Sequence, residues 1–262
     1  MQEFESAIRE LDLSLFSRIE SQSTESDRRS LLAVQSALRN LRTKYVYLEV
    51  GSYLGGSIQP HLLDARCERI FSIDKRPKVQ SDARGFDWHY LNNSTQRMIE
   101  NLRAIDPDAV GKIVTIDGTT SEIDQKLITD PVQLCLIDGE HTDEAMKADF
   151  QFCRRMLDKT GGAIVFHDAQ ITYNGIFDCI QDLIADGVDF RAYALPSVLF
   201  VVEFGDMKLH EHPEIRKRLI NNHEAYLFGL RINDRYRRFA NRFPFRQLRN
   251  VYIRLRKGNV SY

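Results

Sequence analysis

The segment from Tyr45 to Ser57, YVYLEVGSYLGGS, constrains the fold more than any other part of the chain. Residues 45–50 are mostly aromatic or β-branched, which is typical of a buried strand. Gly51 lets the chain bend sharply where that strand ends, and Gly55 lets backbone approach a ligand closely. A short helix is expected over residues 58–63, and the free N–H groups at its start complete a cradle for a ligand.

The glycine turn does not have the spacing of a dinucleotide-binding fingerprint. That fingerprint requires Gly-x-Gly-x-x-Gly, whereas the chain reads Glu-Val-Gly-Ser-Tyr-Leu-Gly-Gly from Glu49 onwards. A carboxylate at this strand end favours a cationic or hydrogen-bond-donating ligand over a pyrophosphate. An ordinary surface turn between a strand and a helix is the alternative interpretation of this segment taken alone.

Three further apolar runs, each with the character of a short buried strand, end in acidic residues. These acids are Asp74, Asp138 and Asp168. Ligands of an open α/β sheet bind beyond the carboxyl ends of the parallel strands, so we expect these residues and Glu49 around one crevice. Asp74 lies about 20 residues after the glycine turn, where an acid can accept from both hydroxyl groups of a ribose. A helix cap or turn aspartate is the alternative for Asp74.

Two histidines accompany the acids at the later strand ends. Asp138 and Asp168 offer the oxygen ligands that a divalent cation such as Mg²⁺ prefers, and such a cation can help to ionise a bound hydroxyl group. His141 follows Asp138 by three residues and suits a general base, because an unperturbed histidine titrates close to neutral pH. His167 directly precedes Asp168. For each histidine alone, the alternative is an ordinary hydrogen-bonded side chain.

Residues 49–57, EVGSYLGGS, resemble the first motif of class I S-adenosylmethionine-dependent methyltransferases. The resemblance extends over residues 45–204 and looks nearest to metal-dependent small-molecule O-methyltransferases, among them the macrolide-sugar enzymes. It implies an α/β fold: a Rossmann-like, doubly wound, mostly parallel seven-stranded sheet with an antiparallel last strand. It also implies an enzyme that uses S-adenosyl-L-methionine to methylate a hydroxyl group of a small molecule or sugar.

The resemblance assigns roles to individual residues. Those that would bind the cofactor are Glu49, Gly51, Ser52, Tyr53, Gly55, Ser57, Asp74, Asp117, Gly118 and Asp138. His141 would be the catalytic base, and the cation ligands would be Asp138, His167 and Asp168. The family has two acidic residues where this chain has His167 and Asp168. A histidine there suits Mn²⁺ better than Mg²⁺, or else His167 is itself a catalytic base and no metal binds.

The net charge and the cysteine content indicate which kind of partner and which cellular compartment to expect. The formal net charge of −1 over 262 residues argues against a nucleic-acid substrate. The four cysteines show no Cys-x-x-Cys spacing, which predicts reduced thiols in a cytoplasmic protein. The first residues lack the basic region of a signal peptide, and no apolar run has membrane-spanning length.

Three regions are predicted along the chain: an N-terminal helical cap over residues 1–44, a methyltransferase domain over 45–205 and a basic helical extension over 206–262. Residues 75–93 are polar and predicted to be irregular. Residues 231–257 combine basic and aromatic side chains, which favours either a peripheral contact with a membrane or acidic partner, or helices docked on the domain or on a second subunit. We expect a homo-oligomer.

Two other functions fit parts of the sequence. A Rossmann module that binds a nucleotide without catalysis would share the strand and glycine turn. A nicotinamide-dependent oxidoreductase is disfavoured by the glycine spacing.

Overall fold

The computed structural model describes residues 2–85, 87–220 and 242–248, together with positions 227, 229, 231, 233, 250 and 251. Most of the predicted basic tail, residues 231–257, lies outside the described residues. Within the described part, no helix is both long enough and apolar enough to cross a membrane.

Nine strands form two sheets within the described residues. In chain order they are β1 (Tyr45–Val50), β2 (Cys67–Asp74), β3 (Val79–Ser81), β4 (Asp87–His89), β5 (Ile113–Asp117), β6 (Leu134–Ile137), β7 (Gly161–Phe166), β8 (Phe190–Ala194) and β9 (Phe200–Gly205). Seven of them make the main sheet in the spatial order β5-β2-β1-β6-β7-β9-β8. The first five in that order pair in parallel, and β9 runs antiparallel to both neighbours. The predicted fold class is confirmed.

Seven α-helices accompany the strands in the described part of the chain. They are α1 (Gln2–Glu10), α2 (Glu25–Leu41), α3 (Gln59–Leu63), α4 (Thr95–Arg103), α5 (Asp143–Met156), α6 (Tyr173–Ala185) and α7 (Pro213–Ile220). Short 3-10 turns lie at Leu13–Phe16, Ala109–Lys112, Gln125–Leu127 and Leu209–Glu211.

The main sheet has a separate hydrophobic core on each face. Side chains alternate along a strand, so Tyr45 and Tyr47 of β1 face one core while Val46 and Leu48 face the other. Helices α1 to α4 and α7 contribute to the first core, and α5 and α6 contribute to the second. Both faces of a mostly parallel sheet are therefore covered, as its apolar strands require.

The N-terminal segment is built into the first core. Its buried side chains share one continuous cluster with β1, β2 and β6. Gln59 of α3 fastens the segment, because its Oε1 accepts from the N–H groups of Arg18 and Ile19 at 3.0 and 2.9 Å. Its Nε2 donates to the carbonyls of Ile19 and Gly56, each at 2.8 Å. The residues before α2 are thereby held against the glycine turn.

The prediction that residues 75–93 are irregular is wrong, because β3 and β4 pair as an antiparallel hairpin. Trp88 Nε1 donates to the Asp82 carboxylate at 3.0 Å, and the Ala83 N–H donates to the His141 carbonyl at 2.8 Å. The strands of the hairpin are short and largely polar, so their pattern gives little signal. Tertiary contacts of this kind hold the hairpin in place.

A buried polar cluster around Asp64 ties the N-terminal helices to the sheet. The Asp64 carboxylate is fully buried and accepts from Tyr45 Oη at 3.0 Å and Gln35 Nε2 at 3.1 Å. Arg39 Nε lies 3.2 Å from the same carboxylate, with its side chain only 4% exposed. The charge of Arg39 is therefore balanced inside the protein.

We predict that Asp64→Ala lowers the free energy of unfolding by about 3 kcal/mol, because Tyr45 and Gln35 lose their buried acceptor and Arg39 keeps only the partly exposed Glu5 as a partner. Urea denaturation measures the change. Glu68→Ala is the control, since it removes an exposed ion pair with Lys44 and should cost less than about 1 kcal/mol. Equal losses in the two variants would contradict the role given to the cluster.

Candidate functional site

A cavity of about 630 Å³ lies at the carboxyl ends of the parallel strands. Its size is within the range of small-molecule sites. Three of the four acids predicted at the strand ends line it: Asp74, Asp138 and Asp168. The predicted crevice therefore exists, although the fourth acid is placed differently.

Glu49 does not line the cavity. It is fully buried, one residue before the end of β1, and accepts from Tyr47 Oη at 2.8 Å and from the Ser57 hydroxyl. Burial raises the pKa of Glu49 to about 7, although the hydroxyl donors favour its charged form. Ser57 lines the cavity, so Glu49 is linked to the cavity only indirectly, by its hydrogen bond with the Ser57 hydroxyl. Direct contact between Glu49 and a cofactor stays a prediction.

The glycine turn brings the ends of β1 and β6 into contact. Gly51 has a φ of +91°, and a Cβ there would lie 2.1 Å from the Asp138 carbonyl oxygen. Only glycine fits this position, so the turn and the acidic end of β6 are held together. Gly55 is different, because it packs against Leu102 and Met98 of α4 and does not line the cavity.

Asp74 is organised by the same turn. Its Oδ2 accepts from the Tyr53 N–H at 2.8 Å, and its Oδ1 accepts from the Arg76 N–H at 2.7 Å. Tyr53 has a φ of 44°, in the left-handed region that few residues with a side chain adopt. Arg76 Nη1 also donates to Oδ2, at 3.4 Å, so the lone pair that is left to accept from a ligand hydroxyl group is on Oδ1. Ser52 and Tyr53 also line the cavity.

The structure does not bring Asp117 to the cavity. Its side chain is 60% exposed, lies 3.7 Å from Arg76 Nε and accepts from the Thr95 hydroxyl. Gly118 lines the cavity, and its contact with a cofactor stays a prediction.

The cavity also contains a buried carboxylate that was not predicted from the sequence. Asp149 of α5 lines the cavity and accepts from Thr120 Oγ1 at 2.5 Å. Burial raises the pKa of Asp149 to about 7. A single polar residue in the middle of an amphipathic helix belongs to no sequence motif. Only the position of Asp149 on the buried face of α5 could have indicated that it belongs to the site.

Two histidines and two aspartates meet at the ends of β6 and β7. His167 Nδ1 lies 3.1 Å from Asp138 Oδ1 and 3.5 Å from Asp168 Oδ2. His141 Nε2 lies 3.4 Å from Asp168 Oδ2 and 3.7 Å from Asp138 Oδ1. The geometry therefore brings together four residues that the sequence placed at separate strand ends.

Opposite charges control the electrostatics of this cluster. Burial disfavours every charged form, but the carboxylates outweigh it and raise the pKa values of His141 and His167 above the usual histidine range. The histidines in turn lower the pKa values of Asp138 and Asp168 below the usual carboxyl range, again against burial. The four side chains thus form a mutually stabilised group of ion pairs.

The cluster has the donor set of a cation site. Asp138, His167 and Asp168 each offer one ligand atom, and these atoms all lie within 4.8 Å of one another. His141 Nε2 and His167 Nδ1 are buried without a hydrogen-bond partner in the described part of the chain. Two carboxylates and an imidazole suit Mn²⁺ or Fe²⁺. Asp168 has a φ of 50°, a strained conformation of the kind found at functional sites.

Two segments outside the main sheet complete the walls. The loop before α2 contributes residues 20–23, and the hairpin region contributes Gln80, Trp88 and Tyr90. The hairpin lies on the histidine side of the cavity, because Gln80 Nε2 donates to the Gly139 carbonyl at 3.3 Å. Neither segment carries a sequence motif that marks it as part of a binding site.

Known structures resemble this chain at low identity. The O-methyltransferase NovP is 14% identical over 67% of this chain and 77% of its own, with a TM-score of 0.49. The S-adenosylhomocysteine-bound methyltransferase PaMTH1 of Podospora anserina is 16% identical over 76% and 88%, with a TM-score of 0.46. An rRNA methylase of Streptococcus thermophilus is 10% identical over 70% and 97%, with a TM-score of 0.45. Similarity of this degree identifies no acceptor.

A family model described as a methyltransferase domain matches residues 48–169. The matched segment begins in β1 and ends just after Asp168, so it contains the glycine turn, Asp74 and the histidine and aspartate cluster. Over this segment, a little under half of the chain, the protein is therefore similar to methyltransferase domains.

Proposed function

We propose that this chain is an O-methyltransferase that transfers the methyl group of S-adenosyl-L-methionine to a hydroxyl group of a small molecule or sugar. The observation that supports it most is the convergence of His141, Asp138 and Asp168 at the cavity that also contains the glycine turn. One end of the cavity then serves the methyl donor and the other serves the acceptor.

The cofactor would lie along the ends of β1, β2 and β5. Asp74 would accept from a ribose hydroxyl group through the Oδ1 lone pair that Tyr53 and Arg76 leave free. Ser52, Ser57 and Gly118 line the same part of the cavity. When bound, S-adenosylmethionine supplies an electrophilic methyl group on a sulfonium.

His141 would act as the general base. Methylation of an alcohol forms an O–C bond, breaks the C–S bond and releases the hydroxyl proton. His141 Nε2 would accept this proton above the raised pKa of His141, where its imidazole is neutral. This nitrogen is buried and has no hydrogen-bond partner in the described part of the chain. Asp138 and Asp168, at 3.7 and 3.4 Å, would stabilise the resulting imidazolium.

Asp138, His167 and Asp168 would hold a divalent cation such as Mn²⁺ or Mg²⁺. A cation at this place supplies a Lewis acid that lowers the pKa of the acceptor hydroxyl group. His167 is better suited as a ligand than as the base, because its Nδ1 faces both carboxylates and its side chain is only 8% exposed.

Several further proposals rest on the sequence alone. We place the protein in the cytoplasm as a homo-oligomer that does not bind nucleic acid. Residues 231–257 would provide a peripheral contact with a membrane or an acidic partner. The boundaries at residues 44 and 205 would separate the cap and the tail from the catalytic domain.

We predict that the protein binds S-adenosylhomocysteine, and that Asp74→Ala weakens this binding by about 2 kcal/mol, which is about 30-fold in Kd, through lost hydrogen bonds to a charged acceptor. Isothermal titration calorimetry measures both. Asp189→Ala, at an exposed carboxylate, should bind as the wild type does. Tight binding of NAD without binding of the thioether would refute the methyltransferase assignment.

His141→Ala should lower kcat by about 100-fold or more, because it removes the general base, while the affinity for S-adenosylhomocysteine stays within about two-fold. Transfer of a labelled methyl group to an accepted substrate provides the rate. His89→Ala, at an exposed histidine of β4, is the matched control and should keep normal turnover. Normal turnover of His141→Ala would remove this histidine from the mechanism.

Treatment with EDTA should lower turnover by about 100-fold, since a Lewis acid contributes several kcal/mol, and added Mn²⁺ should restore it. Asp168→Asn should lose the response to Mn²⁺. Asp178→Asn, at an exposed carboxylate of α6, should retain it. Full activity after chelation would exclude a cation from the reaction.

A further inference from the structure

Asp149 is a buried carboxylate of the cavity that the mechanism above does not use. The residue is 6% exposed, and its Oδ1 accepts from Thr120 Oγ1 at 2.5 Å. The described residues provide no hydrogen-bond donor to its Oδ2. Unlike the unpaired ring nitrogens of His141 and His167, this oxygen is not enclosed by protein. Asp149 lines the cavity, so Oδ2 is the oxygen that a bound molecule can reach.

Small residues make up the walls of the cavity next to this oxygen. A Cβ added to Gly139 would lie 3.2 Å from Asp149 Oδ2, so the oxygen borders the backbone just after β6. Ala145 and Ala148 of α5 line the same cavity. Backbone and methyl groups leave room for a flat ring. One carboxylate oxygen among them selects a ring that carries a hydrogen-bond donor, because a carboxylate only accepts.

The position of Asp149 relative to Asp74 indicates which part of the cofactor comes close to it. The Gly118 N–H donates to the Asp74 carbonyl at 3.2 Å, and Thr120, two residues further on, donates to Asp149. In the main sheet β2 lies between β5 and β1, so Asp74 separates this loop from the glycine turn and from the histidine and aspartate cluster beyond it. The base and the sulfonium are attached on either side of the ribose ring oxygen. With the ribose at Asp74 and the sulfonium directed towards His141, the base lies beside Thr120 and Asp149.

We infer that Asp149 accepts a hydrogen bond from the 6-amino group of the cofactor's adenine, and thereby discriminates adenine from a purine with an oxygen at that position. The inference rests on the proposed function, because it requires an adenosyl ligand in the cavity. A 6-oxo group only accepts hydrogen bonds, so it faces the carboxylate as one acceptor against another and leaves Oδ2 unpaired. Asp117, the acid that the sequence predicts in this region, does not line the cavity, whereas Asp149 does.

The first test compares two ligands on the wild-type protein, so it does not depend on a variant that folds. Isothermal titration calorimetry measures the Kd of S-adenosylhomocysteine and of S-inosylhomocysteine, which has a 6-oxo group in place of the 6-amino group. Burial raises the pKa of Asp149 to about 7, so the titration is done at about pH 8.5, where the group is a carboxylate. We expect the adenosyl compound to bind about 10–100-fold more tightly, as is typical for a hydrogen bond to a charged group. Equal Kd values would overturn the inference.

The second test locates the discrimination in the chain. Asp149→Asn and Asp149→Ser each introduce a group that both donates and accepts, so each variant should bind the two thioethers with Kd values within about three-fold of each other. Glu144→Gln is the matched control, because it neutralises an exposed carboxylate of the same helix and should retain the wild-type preference. Circular dichroism verifies that the variants are folded. The wild-type preference in a folded Asp149 variant, or its loss in Glu144→Gln, would refute the role of Asp149.

The same titrations separate this inference from the proposed function. A wild-type protein that binds both thioethers equally well would refute recognition of the base by Asp149 and leave methyl transfer standing. A wild-type protein that binds neither thioether would count against the proposed function as a whole, and this inference would be refuted with it.

Discussion

The close contact between the glycine turn and the end of β6 is the constraint on which the site depends. Gly51 approaches the Asp138 carbonyl so closely that no side chain fits, and the Asp138 N–H donates back to the Val50 carbonyl at 2.8 Å. Parallel pairing of β1 with β6 keeps this contact in register. The glycine turn, which is proposed to bind the methyl donor, and Asp138, which is proposed to serve the acceptor, are therefore held together by direct backbone contact.

Burial explains why the polar cluster next to this contact is suited to chemistry. Asp138, Asp168, His141 and His167 are partly or largely withdrawn from water, so their charges act on one another with little screening. The same burial leaves two imidazole nitrogens facing carboxylates without good hydrogen bonds. Such a group is stable either as ion pairs or around a cation, and the second state is the one that can activate a hydroxyl group.

The sequence predicted the parts of the site that depend on local pattern. An apolar run followed by an acid marks a parallel strand and its carboxyl end, so Asp74, Asp138 and Asp168 were correctly placed at the cavity. The bounds of β1 were also correct. Glu49 was expected at the cavity from the same pattern, but its side chain is fully buried, where the hydroxyl groups of Tyr47 and Ser57 donate to it.

Contacts between distant segments could not be predicted from local pattern. The hairpin of β3 and β4 is held by bonds to residues near His141, and Asp149 reaches the cavity only because α5 packs against the sheet. Asp27 closes the capping box of α2 with Thr24, and no local pattern indicates that it lies close to His167.

The central claim is that a methyl donor and a cation occupy one cleft at the same time. Paramagnetic broadening by Mn²⁺ of the signals of bound ¹³C-labelled S-adenosylhomocysteine tests it directly. We predict strong broadening in the wild-type protein and none in Asp168→Asn. Sharp ligand signals in a wild-type protein that has demonstrably bound both Mn²⁺ and the thioether would contradict the account.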